Sequence, residues 1–403
     1  MKRYAFAGAS GRAVSMYAQP LREHFTDSAT MVGVFDINQT RARHLANEAG
    51  GMPTFDDFDR MLAETKPDAV IVTTIDRLHH EFIVRALHSG CDAITEKPMT
   101  IDAPRCRAIL RAEVETGRKV AVTFNYRYTE YNTRIKQLIA NGAIGRVLGV
   151  DFEWFLDTRH GADYFRRWHR RKENSGGLFV HKATHHFDLI NWWQDAEPRD
   201  VFAFGARHVY GSAGPERGER CSSCAIGSRC RFFVDFAADP KMRAFYFAAE
   251  HEDDYMRDGC VFAEEVDIED TMSATVRYAS GALLSYSLVA HSAHEGWRVA
   301  INGADGRIEA EEYHSGPFAG LAEQTIRLIH GRGEIENIVV PAVNGGHGGG
   351  DALLRESLFS IAPPPDPLGH SAGSRAGAMS LLIGAAANRS IATGQRIAIA
   401  DLL

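Results

Sequence analysis

Two stretches of this chain hold side chains able to move protons and bind hydroxyl groups. The first is Glu96-Lys97-Pro98, which follows Cys91-Asp92-Ala93-Ile94-Thr95, a run that reads as a short buried strand. A lysine at the carboxyl end of a strand in a nucleotide-binding sheet points into the ligand crevice. There its ammonium can hold a substrate hydroxyl and a bound cofactor at once. By itself a Glu-Lys-Pro run is also an ordinary exit from a strand into a solvated turn. The second stretch, residues 175–188, places His181, Lys182, His185 and Asp188 within eight positions. On a helix His181 and His185, four apart, share one face. Asp188, three residues further on, can orient His185. A histidine titrating near neutrality suits removal of a carbinol proton while hydride leaves. A His-x-x-x-His pair can also bind a metal, though no third ligand is in view.

A cofactor is written into the amino terminus. Gly8-Ala9-Ser10-Gly11-Arg12-Ala13 is an imperfect G-x-G-x-x-G/A, with Ser10 at the second glycine and Ala13 at the third. The first glycine permits a tight turn, the last small residue permits close helix–strand packing, and the amides at the helix start face a pyrophosphate. Asp36 lies 23 residues past Ala13 (36 − 13), near the spacing of a ribose-binding carboxylate. It would repel a 2′-phosphate and so favours NAD over NADP, a preference that Arg41 could soften. Asp36 could equally cap a turn. Thr73 and Thr74 end a strand and should lie along the cofactor with Glu96 and Lys97. His79, at the next helix start, either faces the nicotinamide or is a plain polar first-turn residue.

These residues need a scaffold, and the apolar pattern predicts one. Over residues 1–124, short apolar runs at 3–7, 30–35, 69–73, 91–95 and 119–123 alternate with helical spacing at 14–23, 40–49, 79–89 and 101–116. That rhythm predicts a Rossmann α/β domain, a parallel sheet with helices on both faces. Beyond Phe124, longer runs at 147–156, 201–209, 273–278, 283–290 and 298–302 succeed one another like hairpins. They predict an α+β domain over 125–403, an open and mostly antiparallel sheet with helices at 129–140 and 184–193 on one face. A glycine-rich loop at 345–350 precedes C-terminal helices within 351–392.

With 403 residues, 45% hydrophobic and 24% charged, the chain has material for two cores. A net charge of −7 argues against nucleic-acid or anionic-membrane partners, which need a basic face. No apolar run is long enough to span a bilayer, and the first residues lack signal-peptide character, so a cytoplasmic protein is expected. Within this acidic chain, Arg159-His160 and Arg166-Arg167-Trp168-His169-Arg170-Arg171-Lys172 form a basic cluster. It reads either as a solvated or oligomer-contact face, or as a site for an anionic sugar substituent, which arginine forks suit. Under the second reading Arg167 binds the anion, while Trp168 either stacks on the sugar or belongs to the core.

Six cysteines are too few for a secreted disulfide framework. Cys91 and Cys106 sit in apolar settings. Cys221, Cys224, Cys230 and Cys260 fall in an insertion-like stretch at about 212–262 and suit tetrahedral structural zinc. Reduced thiols, a disulfide and an iron–sulfur cluster are the other readings.

The glycine turn, Glu96-Lys97-Pro98, Phe124-Asn125-Tyr126-Arg127-Tyr128 and the segment ending His185-His186-Phe187-Asp188 together resemble the Gfo/Idh/MocA oxidoreductase family. The resemblance covers nearly the whole chain and implies an NAD(P)-dependent enzyme acting on sugars, cyclitols or related polyols. It also implies a homo-oligomer, dimer or tetramer, formed through the open sheet face. The family lysine carries over to Lys97 and its histidine to His185, with Tyr126, Arg127, Lys182 and Asp188 expected near the substrate. The family aspartate, four residues before the histidine, is His181 here, followed by Lys182. That departure resembles branches that process glycosides by oxidation, elimination, hydration and reduction on a retained NAD. In such a reaction His181 or Tyr126 could supply a second base. The reading is therefore an NAD-dependent oxidoreductase acting on a sugar, glycoside or cyclitol carbinol. A redox-neutral glycoside hydrolase and a non-catalytic NAD-binding sensor are the alternatives, and the intact Lys97 and His185 argue against the sensor.

Overall fold

The amino-terminal apolar runs form a parallel sheet in the computed structural model, which describes residues 1–214, 217–343 and 345–403. In chain order the elements are β1 (Lys2–Ala7), α1 (Gln19–His24, continuing a π-wound stretch Ala13–Ala18), β2 (Ala29–Phe35), α2 (Gln39–Glu48), β3 (Thr54–Phe55) and α3 (Phe58–Thr65). They continue with β4 (Ala69–Val72), α4 (His79–His88), β5 (Asp92–Thr95), α5 (Ala103–Thr116) and β6 (Val120–Val122). The strand order is β3-β2-β1-β4-β5-β6, and every pairing is parallel. All four residues of β4 are buried, as expected of a strand covered on both faces. Asn38, Asp57 and Asp102 cap α2, α3 and α5 through their side chains. Because β1 neighbours both β2 and β4, the strand order reverses there, and a crevice opens at the carboxyl ends of β1 and β4.

The next elements are α6 (Glu130–Ala140), β7 (Val147–Asp157), α7 (His160–Arg166), α8 (Lys172–Ser175), α9 (Leu178–His181), α10 (Thr184–Gln194) and β8 (Pro198–Ala206). After α11 (Pro240–Phe245) come β9 (Thr271–Tyr278), β10 (Leu283–Ser292), β11 (Gly296–Gly303), β12 (Gly306–Tyr313), β13 (Glu323–His330) and β14 (Ile335–Pro341). The chain closes with α12 (Gly350–Phe359), α13 (Ser374–Thr393) and β15 (Ile397–Ala398). Nine strands pair in the order β14-β13-β12-β11-β7-β10-β9-β8-β15. Only β7 and β10 run parallel. Residues along β9 and β10 alternate buried and exposed, so one face packs under α10 and α13 and the other is open.

Some elements were not foreseen. β3 has two residues, too few for a period, β13 carries charged or polar side chains at most positions, and β14 is exposed at most positions and so shows no alternation. No helix among the described residues is long and apolar enough to cross a membrane. Among its described residues the segment between β8 and β9 has only α11 and short 3₁₀ turns, and it reaches back to the parallel sheet, where it borders the site.

Candidate active site

A cleft of about 590 Å³ lies over the carboxyl ends of β1 and β4, lined by the loops of the parallel sheet and by helices and turns from residue 125 onward. One end is built by the glycine turn. Gly8 has φ +97°, and a Cβ there would stand 2.7 Å from the Thr74 amide nitrogen, so only glycine fits this approach of two loops. Ser10 turns its Oγ to the Ala13 amide at 3.1 Å and caps the helix. Among the described residues the amides of Ser10, Gly11 and Arg12 have no backbone acceptor, which suits a pyrophosphate at a helix start. Asp36 accepts from the amides of Ala9 (2.6 Å) and Asn38 (2.7 Å) while still lining the cleft. Burial raises its pKa, and those two amide bonds oppose the rise. Thr73 ties the two loops through its Oγ1, 2.6 Å from the Gly8 carbonyl. This end therefore fits a dinucleotide.

The segment before β9 closes the same end from above. Asn38 donates to the Ala249 carbonyl at 2.8 Å, and Glu252 accepts from the amides of Gln39 (2.5 Å) and Thr40 (3.0 Å) at the start of α2. Arg41 forms an ion pair with Asp253 and lies over the Tyr255 ring. Tyr246, Asp253 and Tyr255 line the cleft beside Gly11 and Asp36. Arg41 is thus already engaged by a carboxylate, which removes the free cation that would have welcomed a 2′-phosphate. Arg12 is likewise engaged, by Glu96 at 2.9 Å and by Asp351 at 3.0 Å. Its guanidinium locks the glycine turn to the Lys97 loop and to α12 rather than reaching for a ligand.

At the other end, Lys97 lines the cleft with its Nζ 3.4 Å from the His181 carbonyl. Burial lowers its pKa, opposed by Asp76 and Glu96. His79 also lines the cleft. Its ring bridges the carbonyls of Pro98 (2.8 Å) and Thr74 (3.1 Å), so it braces the Lys97 loop against the end of β4. His181 Nδ1 lies 2.5 Å from an Asp76 carboxylate oxygen. Burial raises the pKa of Asp76 and lowers that of His181, so burial disfavours the charged form of each. Asp76 was missed in the sequence. It stands two residues past Thr74, in the loop where the ligand crevice was already expected.

His185 lines the cleft and stacks on Tyr126, with ring centres 4.6 Å apart. Its Nδ1 is buried without a hydrogen-bond partner, and burial holds its pKa well below the usual imidazole range. Asp188 does not orient it. Asp188 is buried and accepts two bonds from Arg127, 2.7 Å from Nε and 2.6 Å from Nη2, so both side chains are spent on each other below the site. The expectation that they touch substrate is corrected accordingly. Tyr126 lies behind His185 rather than among the cleft-lining residues. Burial pushes its hydroxyl far above the ordinary range, which makes it a poor second base. Lys182 enters the cleft with its Nζ 4.4 Å from the Trp154 ring centre, and burial lowers its pKa to about 8.

The basic cluster divides three ways. Arg167, Trp168 and His169 line the cleft with His160. Arg170 and Lys172 pair with Glu265 and Glu269. Arg166 turns away to the cysteine-rich turns. Among the described residues no three His, Cys, Asp or Glu side chains already stand arranged to hold a metal ion, the His181–His185 pair and the four cysteines included.

Comparison with known proteins agrees with this geometry. Residues 2–124 match the Gfo/Idh/MocA oxidoreductase family's NAD-binding Rossmann fold, and residues 136–399 match its C-terminal alpha/beta domain. The chain is 40% identical over 423 residues to YteT of Bacillus subtilis (strain 168), across 100% of this chain and 99% of that one. The solved structure of a levoglucosan dehydrogenase in complex with NADH and levoglucosan superposes with TM-score 0.70 at 19% identity, covering 99% of each chain. The WlbA dehydrogenase from Bordetella pertussis, in complex with NADH and UDP-GlcNAcA, gives 0.67 at 19% identity over 98% of each chain.

Proposed function

Since the chain belongs to the Gfo/Idh/MocA family of NAD-binding oxidoreductases, we propose that it transfers hydride to or from a carbinol of a sugar, glycoside or cyclitol that bears a negative charge. The observation that carries this reading is the convergence of Lys97, the His181–Asp76 pair, Lys182 and His185 on one end of the cleft. NAD, when bound, supplies the hydride acceptor or donor. The glycine turn, Asp36, Thr73 and Thr74 would hold it, with Tyr246 and Tyr255 above.

In this reading Lys97 donates a hydrogen bond to the reacting oxygen. His185, neutral because it is buried, takes the hydroxyl proton on oxidation and returns it on reduction. His181 orients a neighbouring hydroxyl, with Asp76 supplying from another loop the carboxylate that the family carries four residues before its histidine. Lys182 and Arg167 give that end an excess of positive charge and so favour an anionic ring substituent. The two units, residues 1–124 for NAD and 125–403 for substrate, follow the same reading. A homo-oligomer would use the open face of the nine-stranded sheet, where Phe204 and Leu283 are exposed.

A second reading, net hydrolysis of a glycoside with NAD retained, draws support from the segment that closes over Asp36 and Arg41. Screening neutral and acidic sugars and aryl glycosides, with NADH and aglycone followed separately, tests both. NADH accumulation with an acidic sugar is the expected result. Aglycone release without NADH points to the second reading. NAD binding with neither product in any substrate class removes both.

A further inference from the structure

We infer that Cys221, Cys224, Cys230 and Cys260 form a structural zinc site that anchors the segment between β8 and β9. All four are free thiols, and all four line one small cavity of about 20 Å³, apart from the catalytic cleft. They arrive there by a local fold suited to ligation. The amide of Cys224 donates to the Cys221 carbonyl, that of Gly227 to Cys224, that of Cys230 to Gly227 and that of Phe233 to Cys230. These successive turns bring three cysteines to the wall of one cavity. Cys260 comes from a second strand of chain, held beside the first by bonds from the Cys221 amide to Asp258 and from the Cys260 amide to Glu219, each 2.9 Å.

A second observation points to negative charge at this centre. Arg166 is 3% exposed, and its guanidinium donates to Cys221 Sγ at 3.2 Å and to the Phe232 carbonyl. Nearby carboxylates are committed elsewhere: Asp163 to Arg167 and Arg257, and Glu250 and Asp258 to Arg220. A buried guanidinium without a carboxylate is costly, and neutral thiols do not answer it. Zinc bound by four thiolates carries two negative charges, and Arg166 lines the same cavity. The cavity has room for about one water-sized sphere, which suits a single ion.

The segment also needs such an anchor. Between β8 and β9 the described residues form only one six-residue helix and short 3₁₀ turns, yet the segment must hold Glu252 and Asp253 against α2. The thiols do not already stand at ligating distances. Cys224, Cys230 and Cys260 are only half-buried, so their side chains have room to turn toward an ion.

Metal analysis of the full chain, purified without chelators, tests this independently of any activity. About one zinc per chain is expected, released by a mercurial together with four thiols. Cys230→Ser should fall below about a tenth of an equivalent, whereas Cys91→Ser with Cys106→Ser should keep the zinc. If Cys230→Ser does not fold, X-ray absorption on the unaltered protein decides, with four sulfurs at about 2.3 Å expected. Less than about 0.2 equivalents after incubation with zinc would overturn the site, as would iron in its place or a disulfide among these cysteines in unreduced peptides.

Discussion

The two ends of the cleft are built on opposite plans. At the cofactor end the protein answers its own charges: Asp36 by two amides, Arg41 by Asp253, Arg12 by Glu96 and Asp351. At the substrate end several polar atoms are buried without a partner, among them His185 Nδ1, His169 Nδ1 and Arg167 Nε. Each such group costs about 1–3 kcal/mol until something binds it. The first end is fixed in advance for a dinucleotide whose pyrophosphate and ribose take no part in the chemistry. The second holds unpartnered polar atoms for a ligand that must be recognised and altered, which is the expected signature of a reacting centre.

Breaking the substrate end should cost most. Lys97→Met is expected to lower kcat at least about a hundredfold, the scale of a lost proton-transfer or electrostatic group. NAD affinity, read by fluorescence titration, should change little, because the glycine turn and Asp36 are untouched. Near-normal turnover would remove Lys97 from the centre. Asp76→Asn should cost about tenfold or more, since it leaves His181 with an amide in place of a carboxylate. Adding His181→Gln to Asp76→Asn should lower kcat little further if the two residues act as a pair.

The cofactor end should respond differently. Replacing Glu252 and Asp253 together by Ala unlatches the segment from α2 and frees Arg41. Loss of a charge-assisted cap and an ion pair should weaken NAD binding about tenfold. The change should fall mainly on the dissociation rate measured by stopped flow, with kcat kept within about twofold. The same variant sharpens the comparison in a second way. With Arg41 released, NADP should gain on NAD, and an unchanged cofactor ratio would mean that Asp36 alone decides it.

How far the sequence discloses this arrangement depends on the range of the contact. The glycine turn and the Lys97 loop are local, and β1, β4 and β5 bring them together by the ordinary rule of the parallel sheet, so both were legible. The strand periods of β7 to β11 were legible because one face of each is buried. Contacts between segments distant in the chain were not. Asp76 meets His181 across 105 positions, and Asn38 meets Ala249 across 211. Neither pair has a spacing to reveal it. Asp188 shows the opposite error. Three residues from His185, it was read as its orienting partner, but helix geometry turned it to Arg127, 61 positions away. The basic run at 166–172 failed for a related reason: successive residues of short helical turns point in different directions, so one stretch of charge serves three sites.

The smallest expected effect separates charge from proton transfer at the substrate end. Lys182 has its pKa lowered to about 8 by burial, with Glu295 opposing. Its ammonium is therefore present below about pH 8 and lost as pH rises through it. His185, held well below the ordinary imidazole value, stays neutral across this window and contributes no change. If Lys182 holds an anionic substituent, KM for an acidic sugar should rise roughly fivefold between pH 7 and 9, the scale of about 1 kcal/mol for a partly desolvated charge pair. A neutral sugar of the same ring should show no such rise. Lys182→Arg should move the rise beyond the accessible range, because a guanidinium keeps its charge. If kcat rather than KM carries the limb, or if both sugars share it, Lys182 is a proton-transfer group and the anion must be bound by Arg167 instead.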